Sequence, residues 1–413
     1  MSAFQILAVI LTIAAVGGYV NYKYIKLPTT IGHMAFALLV SFGAIILSEI
    51  HLIDIGFLSR TIDRIDFSSI VLHGMLSVLL FAGALHINLH DLKSVRLTVL
   101  VLATIGVVLA TFITGTLVWW GAAQIGVNLP YIYALLFGAL IAPTDPIAVL
   151  SILKQLNVSK SLYVKTGGES LFNDGVGVVV FLALLEVINS PQEFEPLDVL
   201  GLFGWEAVGG AVLGLALGGI VYAAIRTIND YKLEALLTLA LVVGGYALAE
   251  LVHMSAPISM VVAGLFIGNH GRNFGMSDES RAHLDVFWEL LDEIFNAILF
   301  ILIGLRIMVT PISVEIMILG AGAICAVLVG RLLSVGIPIS IMRIWKKFDR
   351  GTIRTLTWGG LRGGISIALA LSLPDGDAKA VILPMTYIVV LFSILVQGLT
   401  FQHVLARVYK PSE

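Results

Sequence analysis

Residues 138–150 read GALIAPTDPIAVL. With the apolar residues 130–137 before it, this stretch is long enough to cross a bilayer, yet its middle holds two prolines and an aspartate. Pro143 and Pro146 each lack an N–H, so the carbonyls of Ala139 and Ala142 lose their helical partners. Asp145 followed by Pro146 has the form of an N-cap and first helical position of a restarted helix. The segment is therefore expected to break at its midpoint, gathering free carbonyls, the Thr144 hydroxyl and the Asp145 carboxylate. Irregular backbone survives at membrane depth only where it is buried in protein or lines a wet cavity. A plain proline kink with Asp145 as its cap is the other reading of the same residues.

The chain around it has 413 residues, 58% hydrophobic and 12% charged, with mean hydropathy +1.00. Soluble domains carry about 25% charged residues, and a soluble fold of this composition would expose large apolar patches. A soluble enzyme is excluded. Cys325 is the single cysteine, so an internal disulfide and a Cys-rich metal site are excluded too. A net charge of −3 gives no basic footprint for nucleic acid.

Apolar runs predict an all-α polytopic membrane protein with thirteen transmembrane helices. They fall at residues 4–20, 28–47, 67–85, 95–118, 130–153, 166–188, 205–225, 233–252, 256–268, 286–308, 312–341, 353–373 and 380–404. The first is preceded by no basic residue and reads as a retained helix rather than a signal peptide. Of the 24 lysines and arginines, eighteen follow odd-numbered segments, four lie on the other side, and Arg331 and Arg362 fall inside segments. That bias places the N-terminus outside and the C-terminus in the cytoplasm. The acidic Glu193, Glu195 and Asp198 fall on the outer side.

Ionisable groups at membrane depth are costly and functional by default. Five stand out: Asp145, Glu169, Asp174, Arg331 and Arg362. Residues 166–181 read TGGESLFNDGVGVVVF. On a helix Ser170 and Asp174 share one face, as do Glu169 and Asn173, while Glu169 and Asp174 point about 140° apart. One carboxylate can face a permanent partner while the other faces a substrate. Residues 357–371 read TWGGLRGGISIALAL, with glycine pairs on both sides of Arg362. The glycines weaken the helix and let another backbone cross closely.

Interrupted helices at matching places in two halves are the mark of an inverted-repeat secondary transporter. Thirteen segments divide as six, one linker and six, and the breaks lie in the fifth of each half. Arg362 is expected to neutralise Glu169 as a structural ion pair, and Arg331 to serve helix packing or an interface. Asp174 and Asp145 are left to hold a monovalent cation with hydroxyl and carbonyl oxygens, ligands suited to Na+, K+ or Li+.

PTDPIAV (143–149), GESLFNDG (168–175) and GGLRGGIS (359–366), in this order, resemble the cation:proton antiporters of the NhaP and NHE type. The resemblance covers nearly the whole chain. It implies a homodimer in which a core moves against a dimerisation domain like an elevator. Residues 1–90 and 231–310 would be dimerisation-type helices, 91–190 and 311–413 the core, and 191–230 the linking helix. It further implies Asp174 as the carboxylate for which cation and proton compete, Asn173 beside it, Asp145, Thr144 and Ser170 as further ligands, and a Glu169–Arg362 pair. With Asn173 rather than a second aspartate, it implies electroneutral exchange without a cofactor. LLFAGALHIN (79–88) departs from the pattern: Ala82 stands where many relatives have Glu. The absence of a long tail resembles bacterial or archaeal members, and so a prokaryotic inner membrane.

A sodium-coupled organic-anion carrier and a cation channel are the competing readings. The carrier requires a spare buried base, and the channel would not need a titratable acid. His33, His51, His73, His90, His270, His283 and His403 read as surface or interface residues. His86 and His253 are the two histidines that invite substitution.

Overall fold

The computed structural model describes residues 3–49, 70–155, 158–189, 196–306 and 313–408. Among the described residues there is no strand, and β pairing is confined to an isolated antiparallel bridge between Asp145 and Leu361. The helices begin with α1 (Ala3–Val20), α2 (Thr29–Glu49), α3 (Leu76–Leu85), α4 (Leu89–Val101) and α5 (Val107–Gln124). α6 (Tyr131–Ile141) and α7 (Ile147–Gln155) are the two halves of one interrupted helix. α8 (Lys160–Asn189), α9 (Pro196–Ile225), α10 (Tyr231–Leu251), α11 (Ala256–Phe266), α12 (Asp278–Arg306) and α13 (Val314–Met342) follow. The second interrupted pair is α14 (Thr352–Trp358) and α15 (Gly364–Leu371), followed by α16 (Asp377–Phe392) and α17 (Leu399–Val408).

Among the described residues, 7 helical stretches are long and apolar enough to cross a membrane, and shorter apolar helices lie between them. Several helix starts are fixed by local chemistry. Asn88, Asp230, Ser255 and Ser313 each accept an amide N–H from the first turn of α4, α10, α11 and α13. Each thereby satisfies a donor that a helix start leaves unpaired.

The expected segment at 256–268 is helical to Phe266 and continues as a π-helical turn to Gly271. The segment expected at 286–308 begins earlier, because α12 starts at Asp278. Its first half is amphipathic: Leu284 and Trp288 are buried while acidic residues occupy the other face. The start of the segment expected at 67–85, Glu193, Glu195 and His51 lie outside the described residues.

α5 packs against both α6 and α13, α8 against α4 and α6, and α15 against α16. A second set joins α9, α10, α11 and α3, with α12 lying on α1, α2 and α3; α8 touches both sets. Close approach depends on small residues: a Cβ on Gly115 of α5 would stand 2.8 Å from the Ala134 carbonyl oxygen of α6. Van der Waals contact between backbones is the main cohesive force available where lipid replaces water.

Candidate functional site

α6 ends where the prolines remove its donors. The carbonyls of Ala142 and Pro143 accept hydrogen bonds from Arg362 Nη1 at 2.6 and 3.1 Å. The guanidinium thus caps the negative end of α6. Asp145 N–H then donates to the Leu361 carbonyl at 2.8 Å, which joins the two breaks directly. Arg362 N–H donates to Ser393 Oγ at 2.9 Å. The glycines around Arg362 make the room: a Cβ on Gly363 would stand 3.1 Å from Asp145 Oδ2, and one on Gly360 2.5 Å from Arg331 Nε.

On α8 Glu169 is fully buried and forms a bidentate ion pair with Arg331 of α13, at 2.7 Å (Nη1–Oε1) and 2.8 Å (Nη2–Oε2). This corrects the expected Glu169–Arg362 pair. Arg362 sits in the second break, where its Nη1 is taken by the carbonyls ending α6, while α13 brings Arg331 to Glu169. Arg331 Nε also donates to the Leu356 carbonyl near the end of α14, at 3.2 Å. Each arginine therefore serves the carbonyl end of one half-helix.

Asn173 Nδ2 donates to Glu169 Oε1 and to Thr144 Oγ1, both at 2.8 Å. Its Oδ1 accepts from Thr144 N–H at 3.2 Å, and the Thr144 and Ser170 hydroxyls are 3.0 Å apart. Thr144, Ser170, Asn173, Glu169 and Arg331 thus form one buried chain of polar contacts that pins the first break to α8. Asp174 belongs to a different surface. Its Oδ1 is buried without a hydrogen-bond partner, and the residue lines a cavity of about 620 Å³.

Asp145, Pro143 and Ser366 line the same cavity, together with Asp285, Glu289, Asp292 and Asn296 of α12. His86, Lys154 and Lys160 line it where it opens: the Lys160 side chain is 75% exposed and that of His86 45%. Asp174, by contrast, is 6% exposed, and Ser366 0%. Of the residues anticipated as cation ligands, Asp174 and Asp145 face the cavity, while Thr144, Ser170 and Asn173 stand behind its wall. Ala82 is buried and off the lining, whereas its neighbour Gly83 is on it. His253 adopts a left-handed φ of 53° just after α10.

The acidic stripe on α12 lies outside the isolated charges of the apolar segments. Its signal was present: Asp285, Glu289, Asp292 and Asn296 recur at i, i+4, i+7 and i+11, which is one helix face.

Interrupted helices that meet around buried carboxylates are the architecture of secondary transporters. The family model described as sodium/hydrogen exchanger, transmembrane, matches residues 10–407, and the chain belongs to this family. The Na+/H+ antiporter NhaP of Pseudomonas aeruginosa is 49% identical over 416 residues, covering 99% of this chain and 96% of that protein. The Na+/H+ antiporter NhaH of Halobacillus aidingensis is 38% identical over 346 residues, 83% of each. In fold, the chain resembles the sodium proton antiporter MjNhaP1 of Methanocaldococcus jannaschii, with a TM-score of 0.75 over 98% of both chains at 19% identity. The expected membership of the cation:proton antiporters is thereby established, and the chain is an integral membrane protein.

Proposed function

We propose that this protein exchanges Na+, or K+ or Li+, for H+ across a membrane, with cation and proton competing for Asp174. The observation that carries the proposal is the buried, unpartnered Asp174 carboxylate oxygen on the wall of an acid-lined cavity. Its partner in the task is Asp145, and Asn173, Thr144 and Ser170 form the layer that positions both.

The charges at the junction of the two breaks with α8, apart from the acids that α12 adds to the cavity, support one-for-one exchange. Glu169, Asp145 and Asp174 bring three carboxylates, and Arg331 and Arg362 two guanidiniums. One negative charge is left, which either a proton or one monovalent cation neutralises. A centre that moves only when neutral would carry one or the other, and the cycle would transfer no net charge. Neither guanidinium lines the cavity, so an organic anion finds no buried base there, which disfavours the anion-carrier reading.

In the same reading the helices around α5, α6, α8 and α13 move against those around α3 and α10–α12, with α9 as the linking helix, in an elevator-type cycle. The thirteen-span inverted-repeat topology, the homodimer, the cytoplasmic C-terminus and the prokaryotic inner membrane belong to this proposal.

The test is proton flux in proteoliposomes carrying a pH gradient, with Na+, Li+ and K+ added separately. At least one cation dissipates the gradient, and clamping the membrane potential with a potassium ionophore leaves the rate with the effective cation unchanged. No dissipation by any of the three rejects exchange, and a potential-dependent rate rejects electroneutrality.

The α12 stripe should raise the local cation concentration in the cavity. Replacing Glu289 by Gln and Asp292 by Asn together is expected to raise the cation KM about three- to tenfold at low ionic strength, with the effect shrinking as inert salt is added. Flux titrations in choline chloride read this out. An effect independent of salt would assign the two acids another role.

A further inference from the structure

Buried hydroxyls in these helices are commonly used up by their own helix. Thr111, Thr166 and Thr386 donate to the carbonyl four residues back at 2.9, 2.9 and 2.7 Å. Ser366 has no such outlet. It is the third residue of α15, so the residue four positions back, Arg362, lies in the break and not in the helix. Its Oγ is buried without a hydrogen-bond partner, which is a costly state for a hydroxyl. Ser259, Thr355, Thr357 and Tyr387 share that state among the described residues, but of these five Ser366 is the one on the lining that Asp174 and Asp145 share.

Two further details concern the carboxylates that share this lining. Gly363, at the foot of the same helix, lies so close to Asp145 that a Cβ there would stand 3.1 Å from Oδ2. Asp174 Oδ1, on the same lining, is likewise buried without a hydrogen-bond partner; Asp285 Oδ1 shares that state there but is ion-paired with Arg272. The Thr144 and Ser170 hydroxyls, by comparison, already hydrogen-bond each other behind the wall.

We infer that Ser366 contributes its hydroxyl oxygen, from the second interrupted helix, to the shell of the cation held by Asp174 and Asp145. A neutral hard oxygen added to two carboxylates suits an alkali cation. It also ties the second break to cation occupancy, which the carboxylates on the first break and α8 do not do. The inference rests on the antiport reading of this site.

The test compares native protein, Ser366→Ala and Ser366→Thr in proteoliposomes, with Na+ and Li+ titrated separately. Loss of one uncharged ligand is expected to raise the cation KM of Ser366→Ala about tenfold, with the maximal rate within about twofold. Ser366→Thr keeps the hydroxyl and should retain a KM within about threefold of native. Thermal stabilisation of the purified proteins by Na+ gives a second readout free of transport, in which Ser366→Ala needs about tenfold more Na+ for the same shift. An unchanged KM in Ser366→Ala, or equal rises in both variants, overturns the assignment. Native protein that moves no protons with any cation would instead overturn the antiport reading itself.

Discussion

Asp174→Asn abolishes cation-driven proton movement while leaving the protein folded. The amide keeps the size of the side chain and removes both its charge and its exchangeable proton. A full charge about 4 Å from a cation is worth about 4 kcal/mol at an effective dielectric of ~20, or about a thousandfold in affinity. The variant is therefore expected to show no gradient dissipation at cation concentrations that saturate the native protein. Its thermal stability should equal or exceed that of the native chain, because a buried carboxylate with an unpartnered oxygen has been neutralised. Flux and melting temperature measured on the same preparation separate loss of function from loss of fold. Native-like flux in the variant would remove Asp174 from the mechanism.

The same geometry explains why so many charges can be tolerated in one place. Each break exposes the carbonyl end of a half-helix, and each such end receives an arginine: Arg362 at Ala142 and Pro143, Arg331 at Leu356. The amino ends of α7 and α15 carry the opposite partial charge and lie beside the carboxylates of the cavity, Asp145 being next to Gly363. The junction is thus electrostatically arranged around a single surplus negative charge. Exchange needs no further machinery at the centre than a carboxylate whose occupant can be a proton or a cation.

Both breaks were legible because their causes are local: proline lacks a donor, and paired glycines weaken a helix wherever they occur. The special standing of Asp174 could also be read, since its angular separation from Glu169 follows from helix geometry. The partner of Glu169 could not. Arg331 and Arg362 are both remote in sequence, and the choice between them depends on which helix packs against α8. No spacing rule supplies that. Nor could the sequence tell that Thr144, Ser170 and Asn173 turn toward one another behind the wall, because the direction of Thr144 at an irregular backbone and the face that α8 turns to it are tertiary outcomes. The acids of α12 were legible in principle, but a search for charges inside apolar segments treats a polar first half as a helix end. Ser366 carries no signal within its motif, since its lack of a partner appears only once the start of α15 is known.

Breaking the Glu169–Arg331 pair from one side should be the most damaging change to the fold. Both side chains are buried, at 0% and 8% exposure, and removing one partner leaves the other charge uncompensated, at a cost of about 3–5 kcal/mol. Arg331→Met and Glu169→Leu are each expected to lower the melting temperature of the purified protein sharply. The double variant removes both charges and should recover most of the loss, because a buried pair exchanged for apolar residues of similar volume is often close to neutral. Recovery of stability will not bring full recovery of transport. Glu169 also accepts from Asn173, which holds Thr144 at the first break, so the double variant still loses one anchor of that segment. Pairing Glu169→Leu with Arg362→Met supplies the control. Arg362 serves the carbonyls of Ala142 and Pro143, and its removal should add damage to the single variant rather than relieve it. A double-mutant cycle with stronger coupling between Glu169 and Arg362 than between Glu169 and Arg331 would show that the originally expected pair is the operative one.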